Sequence, residues 1–270
     1  MYKAVFIDVD GTLIKSDHTV SEPTRQTIQK LLNKNILVVL VSARPIDGIL
    51  SISKNIGTLD LPIASLNGGY IVLQNEVIFE SSIDLETTAL LHKQLMEQHV
   101  TLLYYRQRAC FGEMMDIHVE KEQRVTKVPI IIQPFQETMD HWKKEQSGPN
   151  KILIISSPAA IQKIQKKLKG IYENELNICS SKPIYLEVMN AAASKANAVK
   201  FLLNKYHIKR EEIIVIGDNF NDQEMIQFGG MGIAMGNAPD EVKAVADFVT
   251  DTNNNDGVHK AITKFIPLQA

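Results

Sequence analysis

Cysteine is scarce in this chain: only Cys110 and Cys179 occur, far apart and without CxxC or zinc-ligand spacing. A disulfide scaffold is thereby excluded, and two buried or half-buried free thiols in a reducing compartment are expected. No apolar run approaches the ~20 residues that a bilayer span requires. The chain opens on a strand-like run, not on a charged region followed by a long apolar one, so a cytoplasmic location without membrane contact is expected. Charge of either sign is not in excess: the formal net charge is -2. The basic surplus of a phosphate-backbone binder is missing, and nucleic acid is not an expected partner. The seven histidines show no HxH or HExxH spacing, which removes a zinc hydrolase of that kind. Met114, Met115, Met225 and Met235 read as packing residues, and Asn253, Asn254 and Asn255 as a solvated loop.

What is present is ordinary core material. Hydrophobic residues make up 44% of 270 residues, enough for one large or two modest domains. Residues 2–7 form a short apolar run stopped by Asp8, as a buried parallel strand would be. Helical spacing follows over 23–34 behind Ser21, then a strand over 36–41 stopped by Ser42, a helix over 44–55 and a strand over 62–66. This alternation predicts α/β class with a doubly wound parallel sheet. The rhythm breaks after Tyr70 into a hairpin and then a mixed stretch of helices and strands. It resumes with a helix over 195–206 capped by Ser194, a strand over 212–216, a helix over 222–228, a strand over 232–235, a helix over 239–246 and an edge strand over 248–249. One sheet domain built from residues 1–83 and 184–270, with a second α/β domain inserted at 84–183, accounts for this order.

Three expected strands end in polar residues: Asp8, Ser42 and Asp218. In open parallel sheets, ligand sites form at the carboxyl ends of strands, beside the point where strand order reverses. Asp8-Val9-Asp10-Gly11-Thr12 sets two carboxylates two residues apart, so both can face one ligand in an extended segment. Like charges that close repel unless a cation or proton is shared. Gly217-Asp218-Asn219-Phe220-Asn221-Asp222 adds further acidic and amide groups after another strand, oxygen ligands of the kind that suit magnesium. Taken singly, each stretch reads better as a strand end with a turn, Asp222 capping the next helix. Ser42 and the main-chain N–H groups around Ala43 can cradle a phosphate, and Lys195 offers a point charge for one.

These four motifs, in this order and spacing, resemble the haloacid dehalogenase-like hydrolases, and within them the Cof-type phosphatases with a large C2-type cap of subclass IIB. The family's DxDGT is matched by Asp8 to Thr12, its Ser/Thr strand end by Ser42, its lysine by Lys195 and its GDxxND by Gly217 to Asp222. Asn67-Gly68-Gly69, Met235-Gly236-Asn237-Ala238 and Asp256-Gly257-Val258 resemble the Cof type too. Two positions depart: Ser42-Ala43-Arg44 stands where Thr-Gly-Arg is common, and Ala196 follows the lysine where glycine is common.

The resemblance implies a HAD-type, Rossmann-like core and a phosphatase acting on small phosphorylated metabolites, sugar phosphates first. It implies Asp8 as nucleophile and Asp10 as general acid and base. Mg2+ would be held by Asp8, the Asp10 carbonyl and Asp218, with Asp222 in support. Ser42, Ala43, Lys195 and Asn221 would hold the phosphoryl group. The inserted domain would act as a cap that selects the leaving group, with Tyr104, Arg106 and Arg108 as candidate substrate contacts, and His118 and Arg124 beside them. A phosphosugar mutase, a signalling receiver and a non-catalytic phosphometabolite-binding regulator are the rival readings; the absence of a cap in receivers and the completeness of the site weigh against the last two.

Overall fold

The computed structural model describes residues 1–126 and 128–268; Lys127, Gln269 and Ala270, which the expected domain boundaries take in, lie outside them. Ala4–Asp8 (β1), the helix Glu22–Asn33 (α1), Leu37–Val41 (β2), the helix Asp47–Ile56 (α2) and Ile63–Ser65 (β3) alternate as expected. Tyr70–Leu73 (β4) and Glu76–Glu80 (β5) follow as a hairpin. The middle of the chain runs through Leu85–Met96 (α3), Thr101–Arg106 (β6), Ala109–Gly112 (β7), Ile117–Thr126 (α4) and Ile130–Ile132 (β8). It continues with Phe135–Glu145 (α5), Lys151–Ile155 (β9), Pro158–Ile171 (α6), Leu176–Lys182 (β10) and Tyr185–Asn190 (β11). Lys195–Tyr206 (α7), Ile213–Gly217 (β12), Gln223–Phe228 (α8), Met231–Ala234 (β13), Asp240–Lys243 (α9), Phe248–Val249 (β14) and Gly257–Phe265 (α10) complete it.

Two sheets result. The first has the order β14-β13-β12-β1-β2-β3-β4-β5, parallel from β14 to β3 and antiparallel over the last two pairings. All five residues of β1 and all five of β12 are buried, because helices cover both faces. Ile28, Ile49, Val258 and Ile262 pack on one face, and Val199, Leu202 and Met225 on the other. From β1 the chain winds outward through β2 and β3; it returns at β12, on the other side of β1, and winds the opposite way. The reversal point therefore lies between β1 and β12.

The second sheet, β10-β11-β9-β6-β7-β8, is antiparallel except for β7 with β8. One face carries Leu91, Trp142, Ile161 and Leu168 from α3, α5 and α6. The other presents Tyr105, Leu153 and Tyr185 to the core that the first sheet begins. The expected boundary at residue 183 falls inside the β10–β11 hairpin; the second sheet runs on to Asn190. Strands β7 and β8 and helix α4 have no counterpart among the expected elements. Helix α4 turns Val119, Glu122 and Thr126 inward; two of these three are polar, so no apolar period was there to read. The last helix, α10, is a further addition. Helix α9 spans only Asp240–Lys243, shorter than expected.

Both thiols are free, Cys110 buried and Cys179 half-buried. Met225 and Met235 are fully buried. Met114 and Met115 are not packing residues: both are exposed, since they sit in an irregular stretch between β7 and α4. Among the described residues no helix is long and apolar enough to cross a membrane.

Candidate active site

At the reversal point the carboxyl ends of β1 and β12 deliver Asp8 and Asp218 side by side. Two glycines make this approach possible. Gly11 has φ +80°, and a Cβ there would collide with the Asp218 carboxylate. At Gly217 a Cβ would lie 2.5 Å from the Cβ of Asp222. Asp222 is wholly buried, and its Oδ2 accepts from the main-chain N–H groups of Asp218 and Asn219, both at 3.0 Å. Lys195 opens α7, whose first turn is capped by Ser194 Oγ accepting from Asn197 N at 3.1 Å. Its Nζ reaches Asp8 Oδ1 and Asp222 Oδ1, each at 2.6 Å.

Carboxylate oxygens of Asp8, Asp218 and Asp222 lie within 4.8 Å of one another. Burial drives the Asp8 carboxyl well above the ordinary carboxylate range; Lys195 opposes this, while Asp222 and Asp218 reinforce it. Asp218 is pushed up to about 6, by burial first and Asp222 second, against a bond from Thr12 Oγ1 at 2.9 Å. Burial would lower the Lys195 ammonium, but Asp222 and Asp8 outweigh it and hold the group firmly charged. Asp8 and Asp222 thus share one ammonium, with the Asp218 carboxylate close beside them, in a desolvated pocket. That excess of hard, negative oxygen fits a divalent cation such as Mg2+.

Asp10 takes a different position. Its carboxylate is half-exposed and gripped by Arg44, with Nε to Oδ2 and one terminal nitrogen to Oδ1, both at 2.6 Å. Such a two-pronged pair fixes the plane of the carboxylate as well as its distance. Ser42 is buried, and its Oγ accepts from Arg44 N at 3.1 Å. The helix expected to start beside it begins only at Asp47, so Ser42 caps no helix. Asn221 donates from Nδ2 to Asn67 Oδ1 at 3.0 Å. Asp8, Asp10, Ser42, Ala43, Arg44, Lys195 and Asn221 all line one cleft of about 120 Å³.

The wall opposite these residues comes from helix α4, with Glu122, and from the second sheet, with Lys151, Leu153, Ser181, Lys182, Tyr185 and Glu187. None of these was singled out in the sequence. Lys151 Nζ donates to Ala43 O at 2.8 Å, and Glu122 accepts from the hydroxyls of Tyr105 and Tyr185, each at 2.9 Å. Glu187 was legible as a lone carboxylate between the buried Leu186 and Val188. A larger cavity of about 820 Å³ lies behind the β10–β11 hairpin and shares Lys195, Asn219 and Asn221 with the cleft.

Tyr104, Arg106 and Arg108, the expected cap contacts, do not line this cleft. Tyr104 is buried on the other face of its strand, bonded to His92 Nδ1 at 2.8 Å and packed on Trp142. Tyr104 and Tyr105 alternate across the pleat, so it is Tyr105 whose hydroxyl faces the cleft wall. Arg106 pairs with Glu145 at 2.8 Å and donates to Ser147 Oγ. Arg108 pairs with Asp47 and Asn75. His118 and Arg124 are likewise absent from the cleft lining. The asparagine run is no free loop either: Asn253 Nδ2 donates to Ile14 O at 2.9 Å, and Asn254 bonds Ser16. It pins the loop that follows Asp8.

A family model described as haloacid dehalogenase-like hydrolase matches residues 5–262. A Haemophilus influenzae protein provisionally named a phosphatase is 37% identical over 270 residues, covering 99% of both chains. A 5-amino-6-(5-phospho-D-ribitylamino)uracil phosphatase of Bacillus subtilis is 27% identical, over 98% of this chain and 96% of that one. A haloacid dehalogenase-like hydrolase from Bacteroides thetaiotaomicron has the same fold, with a TM-score of 0.85 at 31% identity, over 98% of this chain and 100% of that one.

Proposed function

Because the chain belongs to the haloacid dehalogenase-like hydrolases, we propose that it is a Mg2+-dependent phosphatase that carries the phosphoryl group transiently on Asp8. The observation that supports this most is the meeting of Asp8, Asp218 and Asp222 around one lysine at the sheet's reversal point. Asp8 and Asp218, with the main-chain carbonyl of Asp10 and support from Asp222, would hold Mg2+. When bound, the ion offsets the repulsion between a carboxylate and a phosphate dianion.

Asp8 then attacks phosphorus while the ester P–O bond breaks, and Asp10 gives its proton to the departing oxygen. In the second half Asp10 takes a proton from water. The water oxygen bonds to phosphorus, the bond to Asp8 breaks, and phosphate leaves. A group that alternates as acid and base in this way contributes ~10²–10⁴-fold in rate. Ser42, the main chain at Ala43, Lys195 and Asn221 hold the phosphoryl oxygens meanwhile.

The unit carrying the second sheet, about residues 84–190, serves as the cap. It closes the cleft from above and excludes water from the reacting bond. Its polar wall of Lys151, Tyr185 and Glu187 suits a hydroxylated leaving group, and sugar phosphates are the substrate class we propose. The Bacillus subtilis relative, named for a phosphate on a ribityl chain, supports that choice.

The test is a panel of phosphorylated metabolites assayed for phosphate release with Mg2+ and with EDTA. At least one ester should turn over with Mg2+ alone, and Asp8→Asn should turn over none. Undiminished turnover by a clean, metal-replete Asp8→Asn preparation would sink the assignment.

A further inference from the structure

Glu187 sits in the middle of β11 at 3% exposure, and an ionised carboxylate only accepts hydrogen bonds. Ser181 Oγ donates to its Oε1 at 2.6 Å, and Asn67 Nδ2 to its Oε2 at 2.5 Å. Lys151 Nζ stands 3.5 Å from the same Oε2. Ser181 can reach it because the β10–β11 ladder shifts register between Ser180 and Lys182; a bulge of this kind re-aims the extra residue.

Asn67 belongs to the other half of the molecule. It is 2% exposed, it adopts φ 54°, ψ 32°, and its main-chain N–H donates to Ser42 O at 2.9 Å. A carboxamide has one donor end and one acceptor end. With Glu187 on one side, the donor end of Asn67 has to face it; reversed, a carbonyl would confront a carboxylate, lone pair against lone pair. The acceptor end of Asn67 therefore faces Asn221, whose NH2 donates to it at 3.0 Å. That contact in turn decides which end of Asn221 points inward. Its NH2 has a second hydrogen, still free for an acceptor in the cleft.

We infer that Asn67 is a positioning residue, set by Glu187, that turns the Asn221 carboxamide so that it offers the phosphoryl group a donor and not a lone pair. The polarity runs one way through the chain: carboxylate, amide, amide, phosphoryl oxygen. One consequence is that the phosphoryl grip is complete only when β11 is seated over the first sheet. This inference rests on the proposed reading of Asn221 as a phosphoryl ligand.

A double-mutant cycle tests it, with product inhibition by inorganic phosphate as the readout and Tm as the control. Asn67→Gly removes the carboxamide while leaving a residue that adopts positive φ without strain. Asn67→Gly and Asn221→Ala are each expected to weaken phosphate inhibition about tenfold or more, the scale of losing a hydrogen bond to a charged group. The double variant should bind phosphate no more weakly than Asn221→Ala alone. Glu187→Gln, which can present either end to Asn67, should also weaken inhibition and likewise add nothing on top of Asn221→Ala. Additive losses, or phosphate inhibition within about twofold of wild type in Asn67→Gly, would overturn the inference. Should Asn67→Gly fail to fold, the cycle of Glu187→Gln with Asn221→Ala decides in the same terms. Absence of any Mg2+-dependent phosphate release by the wild-type chain would overturn the phosphatase reading itself; turnover with additive losses overturns this inference alone.

Discussion

Lys195 donates to Asp8, Nζ to Oδ1 at 2.6 Å, across 187 residues of sequence, and neither side chain exceeds 5% exposure. The same ammonium meets Asp222. A buried cation shared by two carboxylates ties the resumed half of the first sheet to its opening strand, and it sits where the proposed chemistry needs positive charge. Each consequence below follows from that cluster or from the cleft above it.

Removing the ammonium leaves the buried Asp8 and Asp222 carboxyl groups without their shared counter-charge. Lys195→Met is expected to abolish turnover and to destabilise the metal-free protein by about 3–5 kcal/mol, the cost of breaking a buried pair from one side. Urea unfolding monitored by circular dichroism gives the number. A loss under about 1 kcal/mol would mean that the pair is far more solvated than its burial implies.

Metal binding should depend on pH with a defined sign. Asp218 is pushed up to about 6 from an ordinary value of 3.8, so the folded chain takes up a proton between those values. The metal-free protein therefore loses stability as pH rises through that window. A bound cation replaces the proton, so the rise in Tm caused by Mg2+ should be large at neutral pH and shrink below about pH 6. At a hundredfold excess over Kd the stabilisation is about 2.7 kcal/mol. Thermal unfolding at constant ionic strength checks this, and Asp218→Asn should erase most of the shift. A Mg2+ effect that grew on acidification would contradict it.

Arg44 holds both oxygens of Asp10. Lysine keeps the charge but cannot reproduce the fork. Arg44→Lys is expected to lower kcat about tenfold on alkyl phosphates, whose leaving oxygen needs a proton, and far less on p-nitrophenyl phosphate, whose leaving group does not. Equal losses on both would show that Arg44 does not act through Asp10.

The orientation of β6 separates selectivity from stability. Tyr104→Phe and Arg106→Ala lie outside the cleft and should leave the ranking of substrates unchanged within about twofold, while lowering Tm. Lys151→Met, on the cleft wall, should change that ranking. Competition assays over the same panel of esters decide between the two.

Much of the first sheet was legible because its strands are short apolar runs ended by a single polar residue, and such runs need both faces covered wherever they occur. Asp8, Asp10 and Asp218 stood out because each is a carboxylate at or just past the end of an apolar run, an arrangement that costs free energy unless something offsets it; Lys195, ordinary by itself, stood out only through the resemblance of the four motifs together. The cleft wall was hidden for the opposite reason. Glu122 and Lys151 look like ordinary surface residues in an unremarkable α/β stretch, and only the packing of the second sheet over the first buries them. Tyr104 and Tyr105 are adjacent in sequence and chemically alike, and the choice between them depends on which face of β6 the core takes.

The amino-acid order alone thus determined the sheet class, the four polar motifs and the kind of ion they suit, since local composition and strand-end chemistry need no partner to be read. Tertiary structure decided which carboxylates meet, that Asp10 turns to Arg44 instead of joining them, and which side of the second sheet looks into the cleft. Those outcomes depend on distances between residues far apart in the chain, and such distances exist only once the two sheets have packed.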